Sequence, residues 1–205
     1  MWLAAVVILL VITVFALGAL LIRGAFLRPP AVKSALQKEL LAYRTRLKAG
    51  SGDPDTKVAV AQAYVRQGKI KAAIEELNQV LEVKPKHWKS LFQLGLIYLD
   101  RGKRTKAIAF FKKAAKAKPN DELAYYQLGM IAYLDKDYEE AAYYMEKTVK
   151  IRPILGDAHY YLADSYERLG DEASAEAHYE ESLRYIPDDA AAEAGLARVR
   201  QVKRD

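Results

Sequence analysis

The sequence predicts an all-α protein. It reads as a right-handed α-solenoid of four helix-turn-helix repeats with terminal capping helices, preceded by one N-terminal transmembrane helix. Two observations carry this. Pro85, Pro119, Pro153 and Pro187 stand 34 residues apart, and Ala73, Ala107, Ala141 and Ala175 keep the same step. A fixed period of this length marks stacked structural units, each too small to bury its apolar face alone. The second observation is Trp2 to Ile22, a run of 21 residues without a charge. At about 1.5 Å per residue such a helix covers about 30 Å, the thickness of a hydrocarbon core.

Residues 1–22 are therefore assigned to a transmembrane helix. A cleaved signal peptide is the alternative, with Ala16 and Gly18 as a small-residue cleavage site. No basic residue precedes the run, and the run exceeds the length of an ordinary signal core. The flanks set the orientation. Arg23, Arg28, Lys33, Lys38, Arg44, Arg46 and Lys48 follow the span, and basic residues close to a span stay in the cytoplasm. The expectation is a single-pass protein of the inner (cytoplasmic) membrane with its repeats in the cytoplasm; the periplasmic orientation is the alternative.

Residues 23–30 form a basic linker, and Pro29-Pro30 ends any helix leaving the bilayer. Residues 31–53 hold a basic amphipathic helix and a turn. This helix can cap the first repeat, as a solenoid end requires, and can also lie on anionic lipid headgroups. Asp53 is placed to cap the next helix, with Pro54 at its first position.

Residues 54–187 divide into four repeats: 54–87, 88–121, 122–155 and 156–187. The expected helix pairs are 54–67 with 70–83, 87–101 with 104–117, 121–135 with 138–151, and 155–169 with 172–185. Gly68, Gly102 and Gly170 mark the turns inside three pairs, and Lys136 occupies the fourth equivalent place. Small residues recur as Ala61, Gly95, Gly129 and Ala163, where paired helices approach closely. Residues 188–205 read as a C-terminal capping helix, with Ala191, Ala194 and Leu196 expected to cover the last repeat.

The second repeat carries Leu94, Gly95, Tyr98, Ala107, Phe111 and Pro119. This resembles the tetratricopeptide repeat, whose pattern runs L-G-x2-Y, A-x3-F, then P. The resemblance implies that the first helix of each pair lines a concave groove that binds protein segments. On that face the spacing places Val58, Gln62 and Val65; Phe92, Leu96 and Leu99; Tyr126, Met130 and Tyr133; and Tyr160, Asp164 and Glu167. About half of these are expected to be core shared between repeats. The remainder would form an apolar track suited to a peptide or helix of a membrane-associated partner. The layout is similar to small bacterial membrane-anchored tetratricopeptide proteins. These include regulators of lipopolysaccharide assembly, whose cysteine-rich metal domain this chain lacks, and periplasm-facing components of cytochrome c maturation.

No catalytic, cofactor or metal site is expected. The chain has no cysteine, no glycine-rich phosphate loop and no paired histidines at metal-ligating spacing. Its three histidines, His87, His159 and His178, read as structural. Residues 23–119 hold 22 basic and 7 acidic residues, a net of +15, and residues 120–205 hold 10 and 19, a net of −9. The basic half suits an anionic membrane surface. Nucleic acid is not expected as a partner, since the lysines on 104–117 come without base-reading elements. The sequence thus points to a membrane-anchored scaffold or assembly factor. The alternative is a periplasm-facing subunit of a cytochrome c maturation-type or other enzyme complex.

Overall fold

The computed structural model describes residues 53–202 and 204, together with 35, 37–39, 41–43 and 45. The apolar run Trp2 to Ile22 lies outside these. Among the described residues, no helix is long and apolar enough to cross a membrane. The chain divides into two compact units, Met1–Lys69 and Ile70–Asp205.

In the first unit, the described residues between 35 and 45 are helical. Arg66 pairs with Glu39 at 2.6 Å. Helix α1 (Pro54–Arg66) starts as the sequence predicts: the Asp53 carboxylate accepts the Thr56 amide at 3.1 Å, and Pro54 fills the first turn. Val58, Val60, Ala61, Ala63 and Tyr64 are buried.

The second unit is an α-solenoid of α2 (Ile70–Val83), α3 (Trp88–Asp100), α4 (Arg104–Ala117), α5 (Glu122–Leu134), α6 (Tyr138–Ile151), α7 (Gly156–Leu169), α8 (Glu172–Tyr185) and α9 (Ala190–Val202). The expected helix bounds of the repeats agree to within a residue. Helices pair as α3 with α4, α5 with α6 and α7 with α8. Each pair packs on the next through α4–α5 and α6–α7, and α8 packs on α9. First helices also meet directly, α5 with α7 and α7 with α9.

Close approach within a pair depends on the small positions. A Cβ on Gly95 would lie 2.5 Å from the Phe111 ring, and one on Gly129 would lie 3.0 Å from the Met145 methyl. Phe111, Met145 and Tyr179 occupy one register position and are each fully buried. The turns inside the pairs take the left-handed conformation at Gly102 (φ 68°), Lys136 (φ 62°) and Gly170 (φ 79°); Gly68, in the first unit, has φ 76°. The lysine thus adopts the same turn as its glycine counterparts.

One expectation is corrected at the C-terminal cap. Ala191 and Ala194 are exposed. Helix α9 instead packs through Ala192, Gly195 and Val199, with Leu196 half-buried. The helix starts at Ala190 and not at Asp188, because the Asp189 carboxylate accepts the Ala191 and Ala192 amides. Ala192, Gly195 and Val199 recur at i, i+3 and i+7, one face of a helix, and Ala191 and Ala194 fall outside it.

Candidate functional site

Helices α3, α5 and α7 present the same register positions at spacings of four and three residues, which share one face of a helix. On α3 these are Phe92, Leu96 and Leu99. On α5 they are Tyr126, Met130 and Tyr133, and on α7 they are Tyr160, Asp164 and Glu167. Leu96, Leu99, Tyr126, Met130, Tyr133 and Tyr160 are half-buried. Five of them pack against buried core clusters, and Tyr133 packs edge-on against the rings of Tyr138 and Tyr161. Phe92 is buried, its ring 5.5 Å from that of Phe111. Asp164 is buried as well. Neither offers its side chain to a partner, because neighbouring rings and hydroxyls already enclose it. In the first unit, Val58 is buried while Gln62 and Val65 are half-buried. Of the basic residues that follow the apolar run, Lys38 is exposed on the first unit's helix. Arg23, Arg28, Lys33, Arg44, Arg46 and Lys48 lie outside the described residues.

The C-terminal part of this face is held by a polar network. Tyr133 donates its hydroxyl to Asp164 at 2.9 Å. Tyr179, fully buried on α8, donates to Glu167 at 2.6 Å and lies 3.4 Å from Asp164. Arg198 of the capping helix grips both Glu167 oxygens, at 2.7 and 2.9 Å. Arg168 stands 3.5 Å from Asp164. Paired charge-assisted bonds of this kind fix geometry strongly. Burial alone would raise the Glu167 carboxyl, but the bonds from Arg198 and Tyr179 hold it below the usual carboxylate value. Burial, then the bond to Asp164, pushes the Tyr133 phenol well above its ordinary range. Burial and Glu167 do the same to Tyr179. These phenols therefore stay protonated and serve as donors.

Aromatic contacts extend the row. Tyr161 lies edge-on to Tyr133 at 5.0 Å and to Tyr160 at 5.3 Å. Tyr160 lies 6.1 Å from Tyr179. Tyr161, Tyr179 and Arg198 were not among the residues singled out from the sequence. A signal was available: one 68-residue step aligns Leu96, Leu99 and Phe111 with Asp164, Glu167 and Tyr179. Two carboxylates and one hydroxyl enter the same pair together.

His159 and His178 meet inside the last pair. The Nε2–H of buried His159 donates to the Pro153 carbonyl at 2.8 Å. Its Nδ1 is then the acceptor facing His178 Nδ1 at 3.1 Å. Both rings are thereby partnered. Among the described residues, no group of three or more His, Asp or Glu side chains is placed to hold a metal ion.

Residues 59–122 and 132–199 each match a family model described as tetratricopeptide repeat, and the two matches together span well over half of the chain. No curated protein matches significantly. Similar solved structures include a MamA protein, 23% identical, with 73% of this chain and 82% of that chain covered and a TM-score of 0.64. MamA from residue 41 onward of Desulfovibrio magneticus is 21% identical, covering 78% of this chain and 90% of that one, with a TM-score of 0.60. A thermophilic tetratricopeptide protein of Thermus thermophilus is 19% identical, covering 83% and 93%, with a TM-score of 0.56. At these identities the likeness is one of fold.

Proposed function

We propose that this chain, which belongs to the tetratricopeptide repeat family, is a membrane-anchored scaffold or assembly factor that holds a segment of a membrane-associated protein partner. The observation that carries the reading is the row Leu96, Leu99, Tyr126, Met130, Tyr133 and Tyr160, half-buried on consecutive first helices. Large apolar and aromatic side chains that keep one side open at a protein surface favour partner contact. The row is also pre-organised, since Tyr133 is fixed by Asp164. Rigid anchors lose less entropy on binding than free ones. The anchor is the uncharged run Trp2 to Ile22, and its basic flank favours repeats facing the cytoplasm.

Photo-crosslinking from Tyr126 and Leu99 in intact membranes tests the groove. Crosslinks to one protein from both positions, lost on Met130→Ala, are expected. Crosslinks confined to Ala109, exposed on α4, would sink the groove assignment. Topology is tested separately with Ala177→Cys in this cysteine-free chain. Ala177 is exposed. It should resist membrane-impermeant thiol reagents until lysis. Labelling of intact cells would reverse the orientation and turn attention to a periplasm-facing subunit of an enzyme complex.

A further inference from the structure

Charge in the unit Ile70–Asp205 is unevenly compensated. On α4 and at its N-cap, Lys103, Lys106, Lys113 and Lys116 are all exposed. Among the described residues, no carboxylate forms an ion pair with any of them, whereas their neighbours Arg104 and Lys112 pair with Asp135 and Glu140. Lys106, Lys113 and Lys116 stand at i, i+7 and i+10, on the side of α4 opposite buried Ala107, Phe111 and Ala114. Lys106, Lys113 and Lys116 therefore form one solvent-facing cationic strip, with exposed Lys103 at the N-terminal end of the helix.

The rest of the unit does not supply the missing anions. Five carboxylates of α7 and α8 are tied to arginines: Asp164 to Arg168, Glu167 to Arg198, Glu176 and Glu180 to Arg200, and Glu181 to Arg184. A second copy docking its acidic end on the strip would compete with these arginines for five of its carboxylates. The rings beside the strip are also occupied. Tyr98 and Phe110 stack on each other at 5.4 Å, with Lys106 Nζ 5.5 Å from the first ring and Lys113 Nζ 5.4 Å from the second. Rings covered in this way are not free to stack on nucleic-acid bases, the usual second element of single-strand binding. A planar anionic surface needs only exposed cations on one face.

We propose that this α4 face is a docking surface for anionic phospholipid headgroups, which lays the basic end of the unit on the bilayer and leaves the acidic end away from it. The anchor reading brings the surface within reach of lipid, but the surface is testable without it. The experiment is lysine acetylation footprinting of the full chain in nanodiscs of phosphatidylcholine alone or with phosphatidylserine. Lys103, Lys106, Lys113 and Lys116 should react at least threefold more slowly in the anionic discs, while exposed Lys136 and Lys150 keep their rates. High salt should erase the difference, since exposed charges are screened. Lys113→Glu with Lys116→Glu should return Lys103 and Lys106 to their neutral-disc rates. Equal rates in both discs would overturn the proposal. So would protection in neutral discs that grows with protein concentration, which means a second copy. Equal protection by inorganic phosphate or by a DNA duplex at physiological salt would also overturn it. A chain that fails to enter neutral discs refutes the anchor alone. The same footprint with added anionic vesicles then decides the surface.

Discussion

The second and fourth repeats are built on the same register and solve the same packing problem with opposite chemistry. In the second, Phe111 fills the space opposite Gly95, with Leu96 and Leu99 beside it. In the fourth, Tyr179 takes the place of Phe111, and Asp164 and Glu167 take the places of the two leucines. The hydroxyl that Tyr179 carries into a fully buried position needs an acceptor, and Glu167 supplies it at 2.6 Å. Glu167 is matched in turn by Arg198 of the capping helix. The polar solution joins three helices and the cap; the apolar one is local. A further pair of positions repeats the contrast: Tyr98 stacks on Phe110 in the second repeat, and Tyr166 stacks on His178 in the fourth, with ring planes only 11° and 6° apart.

The largest effect should come from breaking the polar solution on one side. Glu167→Leu leaves the buried Tyr179 hydroxyl with only the long approach to Asp164 and strips Arg198 of its partner. Leaving buried polar groups unsatisfied costs about 1–3 kcal/mol each, so a loss of about 2–3 kcal/mol is expected in chemical denaturation. Adding Tyr179→Phe, which restores the second repeat's chemistry, should recover more than about 1 kcal/mol of it. Additive losses in that double-mutant cycle would mean the two side chains are not coupled.

Next in size is overpacking of the apolar solution. Gly95→Ala forces a methyl against the Phe111 ring, which is rigid and enclosed. Added core volume of this kind costs about 1–3 kcal/mol. Gly129→Ala meets the flexible end of Met145 instead, which can move aside, and should cost clearly less. Equal losses in thermal melts would show that the space, and not the stiffness of the neighbour, decides.

A smaller effect separates the repeats by pH. Burial, then the facing His159, lowers the His178 pKa from its ordinary 6.5, against opposing pulls from Glu146 and Glu181. Below about pH 6.5 the unfolded chain then binds more protons than the folded one. This contribution to stability is complete above about pH 6.5 and is lost as pH falls through the folded His178 value. His178→Phe copies Phe110 of the second repeat and should flatten that part of the profile between about pH 7 and 5. Parallel profiles for the two proteins would remove the histidine pair as the cause.

The fold was legible because the 34-residue step recurs at prolines, alanines and glycines that each have a mechanical reason. Helix bounds in the repeats fell within a residue for the same cause. Depth was less legible than direction. Periodicity placed Phe92 and Asp164 on the groove-side face, but burial depends on what reaches over them: the Phe111 ring for one, the hydroxyls of Tyr133 and Tyr179 for the other. The inward stripe of α9 was missed because Ala190, Ala191, Ala192 and Ala194 are all small, and a run of alanines carries no sharp apolar period. The histidine contact was missed because 19 residues separate the pair on two different helices.

The smallest expected effect tests whether the turns of the repeats are equivalent. The second and fourth repeats turn through Gly102 and Gly170, and the third turns through Lys136 with φ 62°. A side chain in the left-handed region is disfavoured by about 1–2 kcal/mol, a penalty glycine does not carry. Glycine in turn loses more conformational freedom on folding, which opposes the gain by about 0.5–1 kcal/mol. Lys136→Gly should therefore be neutral or stabilise by less than about 1 kcal/mol, read as a small rise in the denaturation midpoint at unchanged slope. The side chain is exposed and no ion pair holds it among the described residues, so little else changes with it. A clear drop in stability would mean that the lysine is held in this turn by an interaction its glycine counterparts do not need.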